Sequence, residues 1–240
     1  MSWVLADAPL PVVDAVLGLL PVWALREVLE RLPDPPPRRV VALSSTSAVT
    51  KATSPDEHEQ ALARRLTEGE RDVRAWCDAR GTQWVVLRST LIYGYGLDRN
   101  VTALAHAARR WGVLPIVGGG RGLRQPVHVD DVAAAAVASL DVPCAAGQTY
   151  TLSGGERLAY AEMARRVFAA AGRPARLLPV PLPLARGALT LARLLPRYRP
   201  YSPAMFDRML NDLVFDHDAA TRDLGFRPRP FAPTAADVPR

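Results

Sequence analysis

Two runs of polar side chains could bind a ligand or act in catalysis, and each directly follows an apolar stretch that is typical of a buried strand. The first, SSTS at 44–47, ends the run RRVVALSSTS, and the second, RST at 88–90, ends TQWVVLRST. Because both stretches are rich in β-branched residues, they predict strands buried in a parallel sheet. Ligands of such sheets bind at the carboxyl ends of the strands, so the two polar runs predict one ligand site.

The segment between these strands predicts an amphipathic helix over about 56–79. Acidic residues stand at its start, and apolar residues recur every three or four positions. Strand, helix and strand in this order predict a right-handed βαβ unit with a parallel sheet. Leu62 and Leu66 lie on one face of the helix, and the helical period alone assigns both to the core. A polar, solvated face of the same helix is predicted from its charged residues, Arg64, Arg65, Glu68, Glu70, Arg71 and Arg74.

His58 stands one turn before Leu62 on the same predicted face. Its imidazole is a nearby side chain that could carry a proton close to neutral pH. The alternative is a solvent-exposed histidine in the first turn of a helix.

The rest of the sequence predicts further helices and strands in two parts. A buried strand is predicted at 2–6 and a mostly helical stretch from there to Leu32. The sequence pattern changes near residue 96. We therefore expect a sheet domain at 1–96 and a helix-rich region at 97–240, and some segments of this second region are expected to return to the sheet. Asp130 or Asp131 is expected to cap a helix. In this second region helices are expected at about 99–111, 131–140, 158–171 and from about 183 onward, and strands near 126–129, 148–152 and 175–180.

The composition narrows the classes of ligand and location. Arginine supplies nearly all of the basic charge, and the formal net charge of +6 favours anionic ligands such as phosphates; an arginine-rich proteome would give the same count. The arginines are scattered, so nucleic acid is not an expected partner. Cys77 and Cys144 lack the spacing of a metal site or a disulfide framework, and we expect a reducing, cytoplasmic location.

The apolar N-terminal segment does not predict a membrane anchor. It carries Asp7, Asp14 and three prolines within the first 21 residues. A spanning helix would need about 20 apolar residues in succession, and a signal peptide would need a basic region before the apolar run. We therefore expect no membrane partner.

Four motifs follow one another along the chain: VVALSSTSAV, VVLRSTLIYGYG, GLRQPVHVDDVA and YTLSGGERLAYAEMARRV. Together they resemble the extended short-chain dehydrogenase/reductase superfamily, in its NAD-dependent epimerase/dehydratase branch. The first is similar to that family's fifth strand, and the second to its sixth strand, with Ser89 where proline is usual. The resemblance implies an α/β fold with a Rossmann-type parallel sheet and a small helix-rich C-terminal substrate region. Residues 1–96 would then form a partial nucleotide-binding domain.

Two features depart from the family pattern. SWVLADAP resembles the family's fourth strand, so the earlier strands and the Gly-x-x-Gly-x-x-Gly turn that seats a dinucleotide are expected to be missing. The family's catalytic helix carries Tyr-x-x-x-Lys, and a gapless match places Leu62 on the tyrosine and Leu66 on the lysine. Leucine has no proton to exchange, so the usual hydride-and-proton mechanism cannot run through this pair.

The resemblance also implies a cofactor and an active-site hydroxyl. The cofactor would be NAD or NADP, with contacts at Ala6, Ser44, Ser89 and Leu91. Thr46 matches the family's Ser/Thr that hydrogen-bonds the reacting hydroxyl or carbonyl group. The alternative for Thr46 is a hydroxyl that satisfies loop backbone after a strand.

Two further residues match substrate contacts of the family. Arg124 matches an arginine whose planar fork suits a diphosphate; the alternative is a surface salt bridge with Asp130 or Asp131. Asn100 matches an asparagine that donates to a substrate phosphate, although a helix N-cap would look the same in sequence. The implied ligand is a nucleotide sugar or a similar phosphate-bearing small molecule.

The function implied by the resemblance is therefore an NAD(P)-dependent epimerase/dehydratase-like protein that acts on or binds a nucleotide sugar. The sequence leaves two alternatives open: a non-catalytic scaffold that binds a ligand or partner, and an N-terminally shortened form of an atypical reductase. A shortened sheet would leave a strand edge unpaired, which favours self-association into a homo-oligomer.

Overall fold

A parallel β-sheet forms the centre of the protein in a computed structural model that describes residues 8–195, 206 and 209–239. The strands are β1 (Ala15–Gly18), β2 (Arg39–Ser45), β3 (Gln83–Ser89), β4 (Ile92–Tyr93), β5 (Val113–Val117), β6 (Leu123–Arg124), β7 (Val127–His128), β8 (Gln148–Leu152), β9 (Leu158–Ala159) and β10 (Arg176–Val180). Four of them make the main sheet in the order β1-β2-β3-β8, with parallel pairing throughout. The α/β class predicted from the sequence is confirmed.

Helices cover both faces of this sheet. The protein's helices include α1 (Val22–Glu30), α2 (Ser47–Thr50), α3 (Glu57–Asp78), α4 (Asn100–Trp111), α5 (Val129–Asp141), α6 (Tyr160–Ala170), α7 (Leu182–Ala192) and α8 (Asp218–Leu224). Of these, α1 and α3 pack on one face of the main sheet, and α5 and α8 on the other. Alternate residues of β2 point to opposite faces. Val40 and Ala42 pack with α1 and α3, whereas Val41 packs in a second cluster that includes residues of α5 and α8. Because alternate strand residues pack against helices on opposite sides, both faces of the sheet are buried.

The βαβ unit predicted from the sequence is present as β2, α3 and β3. Asp56 is the N-cap of α3, because its side chain accepts a hydrogen bond from the backbone N–H of Glu59 at 3.0 Å. Glu57 and Glu59 add negative charge to the first turn, which favours the helix N-terminus. The helix then runs for 22 residues and returns the chain to β3 beside β2.

The N-terminal part of the sheet differs from the sequence prediction. The stretch up to Leu32, predicted to be mostly helical, contains β1 at Ala15–Gly18 and then α1 at Val22–Glu30. Val16 and Leu17 pair with β2 in register with Val40 and Val41, so tertiary pairing overrides local propensity in this short run. The strand predicted at 2–6 lies outside the described residues.

Helices α1 and α3 approach each other closely at a glycine. A Cβ atom on Gly69 would lie 2.6 Å from the backbone N and Cα of Trp23, a distance that side chains do not reach without a shift of the backbone. Gly69 therefore sets the spacing of the helix pair that covers one face of the sheet.

Residues from Ile92 onward form smaller sheets and also return to the main one. β5 pairs in parallel with β10, β4 in parallel with β7, and β6 antiparallel with β9. β8 joins the main sheet beside β3, and α8 packs near it through Ala220 and Leu224. β5 was not predicted from the sequence, because its partner lies about sixty residues further along the chain and local pattern does not report such pairing.

Candidate functional site

The polar runs that follow β2 and β3 meet at the carboxyl end of the sheet. Ser44 pairs in register with Arg88, and Ser45 with Ser89. The backbone N–H of Thr46 donates to the Ser89 carbonyl oxygen at 3.0 Å, and the Thr46 hydroxyl donates to the same oxygen at 3.3 Å. The Ser89 hydroxyl in turn donates to the Ser44 carbonyl oxygen at 3.2 Å. The structure thus brings the strand-end residues together, with the hydroxyls of Thr46 and Ser89 bonded to backbone carbonyl oxygens.

A buried carboxylate fixes this strand end from the helix side. Glu70 of α3 is 1% exposed and accepts two hydrogen bonds from Arg88, at 2.9 Å and 2.6 Å. The Ser44 hydroxyl donates to its Oε1 at 2.7 Å, and Arg74 donates to its Oε2 at 3.3 Å. Hydrogen bonding to Glu70 raises the pKa of Arg88. One carboxylate therefore ties α3 to two strands.

The position of Glu70 corrects an interpretation made from the sequence. Glu70 belongs to a run of charged residues that predicts a solvated helix face, and that prediction is wrong for this residue. The signal that could have found it is its spacing, because Glu70 lies four residues after Leu66 and eight after Leu62, on the face turned to the protein.

Leu62 and Leu66 place hydrocarbon on that face of α3. Leu66 is 6% exposed and belongs to the apolar cluster that includes Val22, Leu25 and Ala48; Leu62 is half-buried and packs against the same cluster. Neither side chain can exchange a proton or carry a charge. The Tyr-x-x-x-Lys chemistry of the resembled family therefore has no groups to act through at these two positions.

His58 is exposed in the first turn of α3, and Thr46 is buried and bonded to Ser89. The two residues predicted as catalytic candidates thus differ in environment: one is open to solvent and the other takes part in the strand-end hydrogen bonds. Their catalytic roles stay predictions.

Arg124 is buried at the end of β6. Its Nη1 donates to the carbonyl oxygens of Leu123, at 2.7 Å, and Asn211, at 2.9 Å. The guanidinium carbon stands 5.7 Å from the ring centre of Tyr160, in range of a cation–π interaction. Burial lowers the pKa of Arg124 because desolvation penalises the charged form, with smaller opposing contributions from Tyr160 and Asp212.

The alternative partners considered for Arg124 lie elsewhere. Asp131 pairs with Arg229, with Nη2 and Oδ1 2.8 Å apart, and Asp130 lies 3.6 Å from the same arginine. The salt bridge between Arg124 and Asp130 or Asp131, predicted as an alternative, is therefore wrong. The signal missed is the long-range approach of the C-terminal segment, which carries Arg229.

The remaining predicted site residues occupy different settings. Asn100 is exposed as the first residue of α4, and its backbone N–H donates to Asp98 Oδ1 at 2.8 Å. Asp98 also accepts from the N–H of Val101 at 2.6 Å, so the capping side chain is Asp98 and the N-cap alternative for Asn100 is wrong. Leu91 is half-buried against an apolar cluster. Ala6 lies outside the described residues.

His128 and Asp237 form a hydrogen-bonded pair that was not predicted from the sequence. His128 Nε2 lies 3.2 Å from Asp237 Oδ1, and both side chains are buried. His128 Nδ1 accepts the N–H of Asp130 at 3.2 Å, which makes His128 the N-cap of α5. The prediction of Asp130 or Asp131 as the cap is therefore wrong. The pair attaches the C-terminal segment to the start of α5.

Replacing Asp237 with asparagine is expected to lower the free energy of unfolding at pH 7 by about 1–3 kcal/mol, because a charged hydrogen-bond acceptor is lost. Burial raises the pKa of Asp237, but hydrogen bonds from Thr234, His128 and Tyr95 outweigh it and hold the pKa below its ordinary value. A depressed pKa gives stability that is present above the unfolded-state value, about 3.9, and lost as pH falls through the folded-state value.

Denaturant midpoints of the wild type and Asp237→Asn, measured between pH 7 and pH 3, test this expectation. The gap between the two should narrow as the pH falls below about 4. Asp34→Asn, at an exposed carboxylate, is the control and should leave the midpoint unchanged. A gap that stays constant down to pH 3 would contradict the expectation.

The sheet order, the helices on both faces and the polar site at the strand ends define a Rossmann-type α/β protein. The model of the NAD dependent epimerase/dehydratase family matches residues 22–152. This match covers more than half of the chain, and the chain belongs to that family.

Two individual relatives match parts of the chain. The chain is 29% identical over 192 residues to the Uncharacterized protein y4nG of Sinorhizobium fredii (strain NBRC 101917 / NGR234), a match that covers 79% of this chain and 47% of that protein. It is 28% identical over 116 residues to the UDP-glucose 4-epimerase of Vibrio cholerae, covering 48% of this chain and 35% of that protein. The matched part therefore spans less than half of either relative.

A solved structure shows the same fold. The UDP-glucuronic acid 4-epimerase from Bacillus cereus, in complex with UDP-glucuronic acid and NAD, matches with a TM-score of 0.65 and 16% identity. The match covers 90% of this chain and 65% of that chain. At this identity the similarity concerns the fold.

Two serine hydroxyls at this strand end, where the family resemblance places a nicotinamide dinucleotide, donate to groups of the protein itself. The Ser44 hydroxyl is bonded to Glu70 and the Ser89 hydroxyl to the Ser44 carbonyl oxygen. Leu66, which the sequence match places at the family lysine, has no side-chain donor for a ribose. In this structure the side chains of Ser44, Ser89 and Leu66 therefore present no free hydrogen-bond donor to the nicotinamide end of a cofactor.

Two further findings concern metals and membranes within residues 8–195, 206 and 209–239. No group of three or more His, Cys, Asp or Glu side chains is placed to hold a metal ion. No helix in this part of the chain is long and apolar enough to cross a bilayer.

Proposed function

We propose that this protein binds a nucleotide sugar, or another small molecule with a diphosphate group, and that Arg124 holds the phosphates. The observation that carries the proposal is the burial of the Arg124 guanidinium at the end of β6. Desolvation penalises its charge, and an incoming anion would offset that penalty. A planar guanidinium also suits a diphosphate, because it can donate two parallel hydrogen bonds.

The family relatives support this class of ligand. The Vibrio cholerae relative is named for UDP-glucose, and the Bacillus cereus structure contains UDP-glucuronic acid. Asn100 is exposed at the first turn of α4, where its amide is open to a second contact with a phosphate. The roles of Arg124 and Asn100 as phosphate contacts are inferred from the resemblance of their motifs to the family's substrate-binding motifs.

We infer further that the chain binds without the proton transfer of the Tyr-x-x-x-Lys mechanism. Leu62 and Leu66 supply hydrocarbon at both positions and pack with the core. Binding of NAD or NADP belongs to the family, but the strand-end hydroxyls of this chain are engaged internally. Ligand binding is thus the activity that these residues support best.

Calorimetric titration of the purified chain with UDP-glucose, and separately with UDP, tests the proposal. Arg124→Gln is expected to weaken binding about 10- to 100-fold, since charge-assisted hydrogen bonds are lost. Arg124→Lys keeps the charge but not the fork, and its affinity should lie between. The matched control is Arg121→Gln, at an exposed arginine three residues away, which should change the affinity less than about twofold.

Far-UV circular dichroism of each variant shows whether the fold survives, and the comparison uses those that remain folded. Absence of binding by the wild type, or equal binding by a folded Arg124→Gln variant, contradicts the proposal. Incubation with UDP-glucose and NAD should yield no epimerised sugar. Turnover that Thr46→Ala or His58→Ala abolishes would contradict the non-catalytic inference and assign those residues to the reaction.

A further inference from the structure

Helix α7 and the residues just after it expose large apolar side chains. Leu184, Leu191, Leu194 and Leu195 are between 55% and 76% exposed. The one buried residue of α7 is Ala185. A helix of a globular protein ordinarily turns its leucines inward, whereas these four leucines are not covered by the residues that the structure describes.

The exposed leucines and the packed residues lie on different faces of α7. Leu184, Leu191 and Leu195 are spaced seven and four residues apart, which places them on one side of the helix and its continuation; we call these three the leucine face. Ala185 and Leu189, which are buried and half-buried, lie on another side. Among residues 8–195, 206 and 209–239, the helix therefore has one apolar side packed against the protein and a second that none of them covers.

The charge of the surrounding sequence is entirely positive. No Asp or Glu occurs between Glu162 and Asp207, whereas eight arginines do. Two of the eight, Arg165 and Arg166, pair with Glu162 and Glu156. This stretch accounts for more than the whole formal net charge of +6. Within it Arg173, Arg176 and Arg193 are exposed.

We propose that the leucine face docks on the surface of a bilayer that contains anionic lipids, with α7 lying in the plane of the interface. Exposed leucines together with arginines and no acidic residues have the chemistry of an interfacial amphipathic helix. Basic residues near such a helix add attraction to anionic headgroups. The absence of a spanning helix among the described residues leaves this peripheral mode available, and it departs from the expectation of no membrane partner.

A second copy of the chain fits this surface less well. Two copies that met through their leucine faces would bring the same arginine-rich, acid-free segments together, and like charges repel. An anionic surface instead attracts that charge and covers the leucines at the same time.

Co-sedimentation of the full chain with lipid vesicles tests the proposal. Vesicles of phosphatidylglycerol and phosphatidylcholine in equal parts should bind the wild type at least about tenfold more tightly than vesicles of phosphatidylcholine alone. Raising the salt from about 50 mM to about 500 mM should weaken that binding several-fold, because screening shortens the reach of the charges.

Two variants separate the contributions of the leucines and the charge. The triple change Leu184→Ser, Leu191→Ser and Leu195→Ser should reduce binding about tenfold or more, and Arg193→Glu should reduce it by a few-fold. Leu97→Ser, at a leucine that is 88% exposed elsewhere, is the matched control and should bind as the wild type does. Circular dichroism checks that each variant remains folded.

Equal binding to neutral and anionic vesicles, or undiminished binding of the folded triple variant, would overturn the proposal. Size-exclusion chromatography without lipid provides the third arm. A wild-type dimer that the triple variant abolishes would assign the leucine face to self-association and overturn lipid docking. Because Arg124 is not changed in any of these variants, nucleotide-sugar binding can succeed or fail independently of the result.

Discussion

The Glu70→Gln variant is expected to lose about 3 kcal/mol of unfolding free energy. Removing one partner of a buried ion pair ordinarily costs about 3–5 kcal/mol. Glutamine keeps the shape of the side chain but not its charge. Arg88, whose side chain is about one-quarter exposed at 24%, would then keep its positive charge next to a neutral amide. Because Arg88 and Arg74 retain some contact with water, we expect the lower end of that range.

Urea denaturation followed by circular dichroism measures this change. The matched control is Glu68→Gln, at an exposed position two residues earlier in α3, which should shift the free energy by less than about 0.5 kcal/mol. Removing the stranded charge as well, in Glu70→Gln with Arg88→Met, should recover part of the loss. A Glu70→Gln variant as stable as the wild type would contradict this expectation, because it would show that water alone stabilises the charge of Arg88.

The Leu66→Lys variant is expected to be destabilised by about 3–5 kcal/mol, although it restores the residue type of the resembled family at that position. Leu66 is buried among Val22, Leu25 and other apolar side chains, and an ammonium group placed there loses its hydration without gaining a partner. The position behaves as core and not as a vacated binding site.

Thermal and urea unfolding measure the effect, with two controls. Leu66→Met conserves volume and should cost less than about 1.5 kcal/mol. Leu62→Tyr, at the half-buried position one turn earlier, should be tolerated better than Leu66→Lys because its polar end can reach water. If Leu66→Lys is as stable as the wild type, its ammonium reaches solvent or a cleft, and the non-catalytic inference loses its structural support.

Much of the central fold follows from local pattern. The β-branched runs predicted β2 and β3, and the acidic start and apolar spacing predicted α3 to within a residue or so of Glu57–Asp78. These elements succeed because propensity, burial and connection length agree. The strand β8 was also predicted at 148–152, where it is found.

The errors share a different physical origin. Ala15–Gly18 forms a strand because β2 lies beside it, and Asp131 binds Arg229 across 98 residues of sequence. Glu70 is buried because two arginines and Ser44 meet it. Each outcome depends on a partner distant in sequence, which a window of neighbouring residues does not contain.

The site was predicted in outline from the same kind of information. The meeting of the strand ends follows from the βαβ order, since parallel strands present their carboxyl ends at one edge. The partners of Arg124 do not follow from sequence, because Asn211 reaches it from a segment 87 residues away.

The bond between His128 and Asp237 bears on the order in which the chain assembles. It closes a loop of 109 residues, whereas the contacts of Glu70 with Ser44 and Arg88 span 26 and 18 residues. Closing a longer loop costs more chain entropy, and distant contacts form more slowly than local ones. The β2–α3–β3 unit can therefore form early as a nucleus, with the C-terminal segment docking on α5 as a late step.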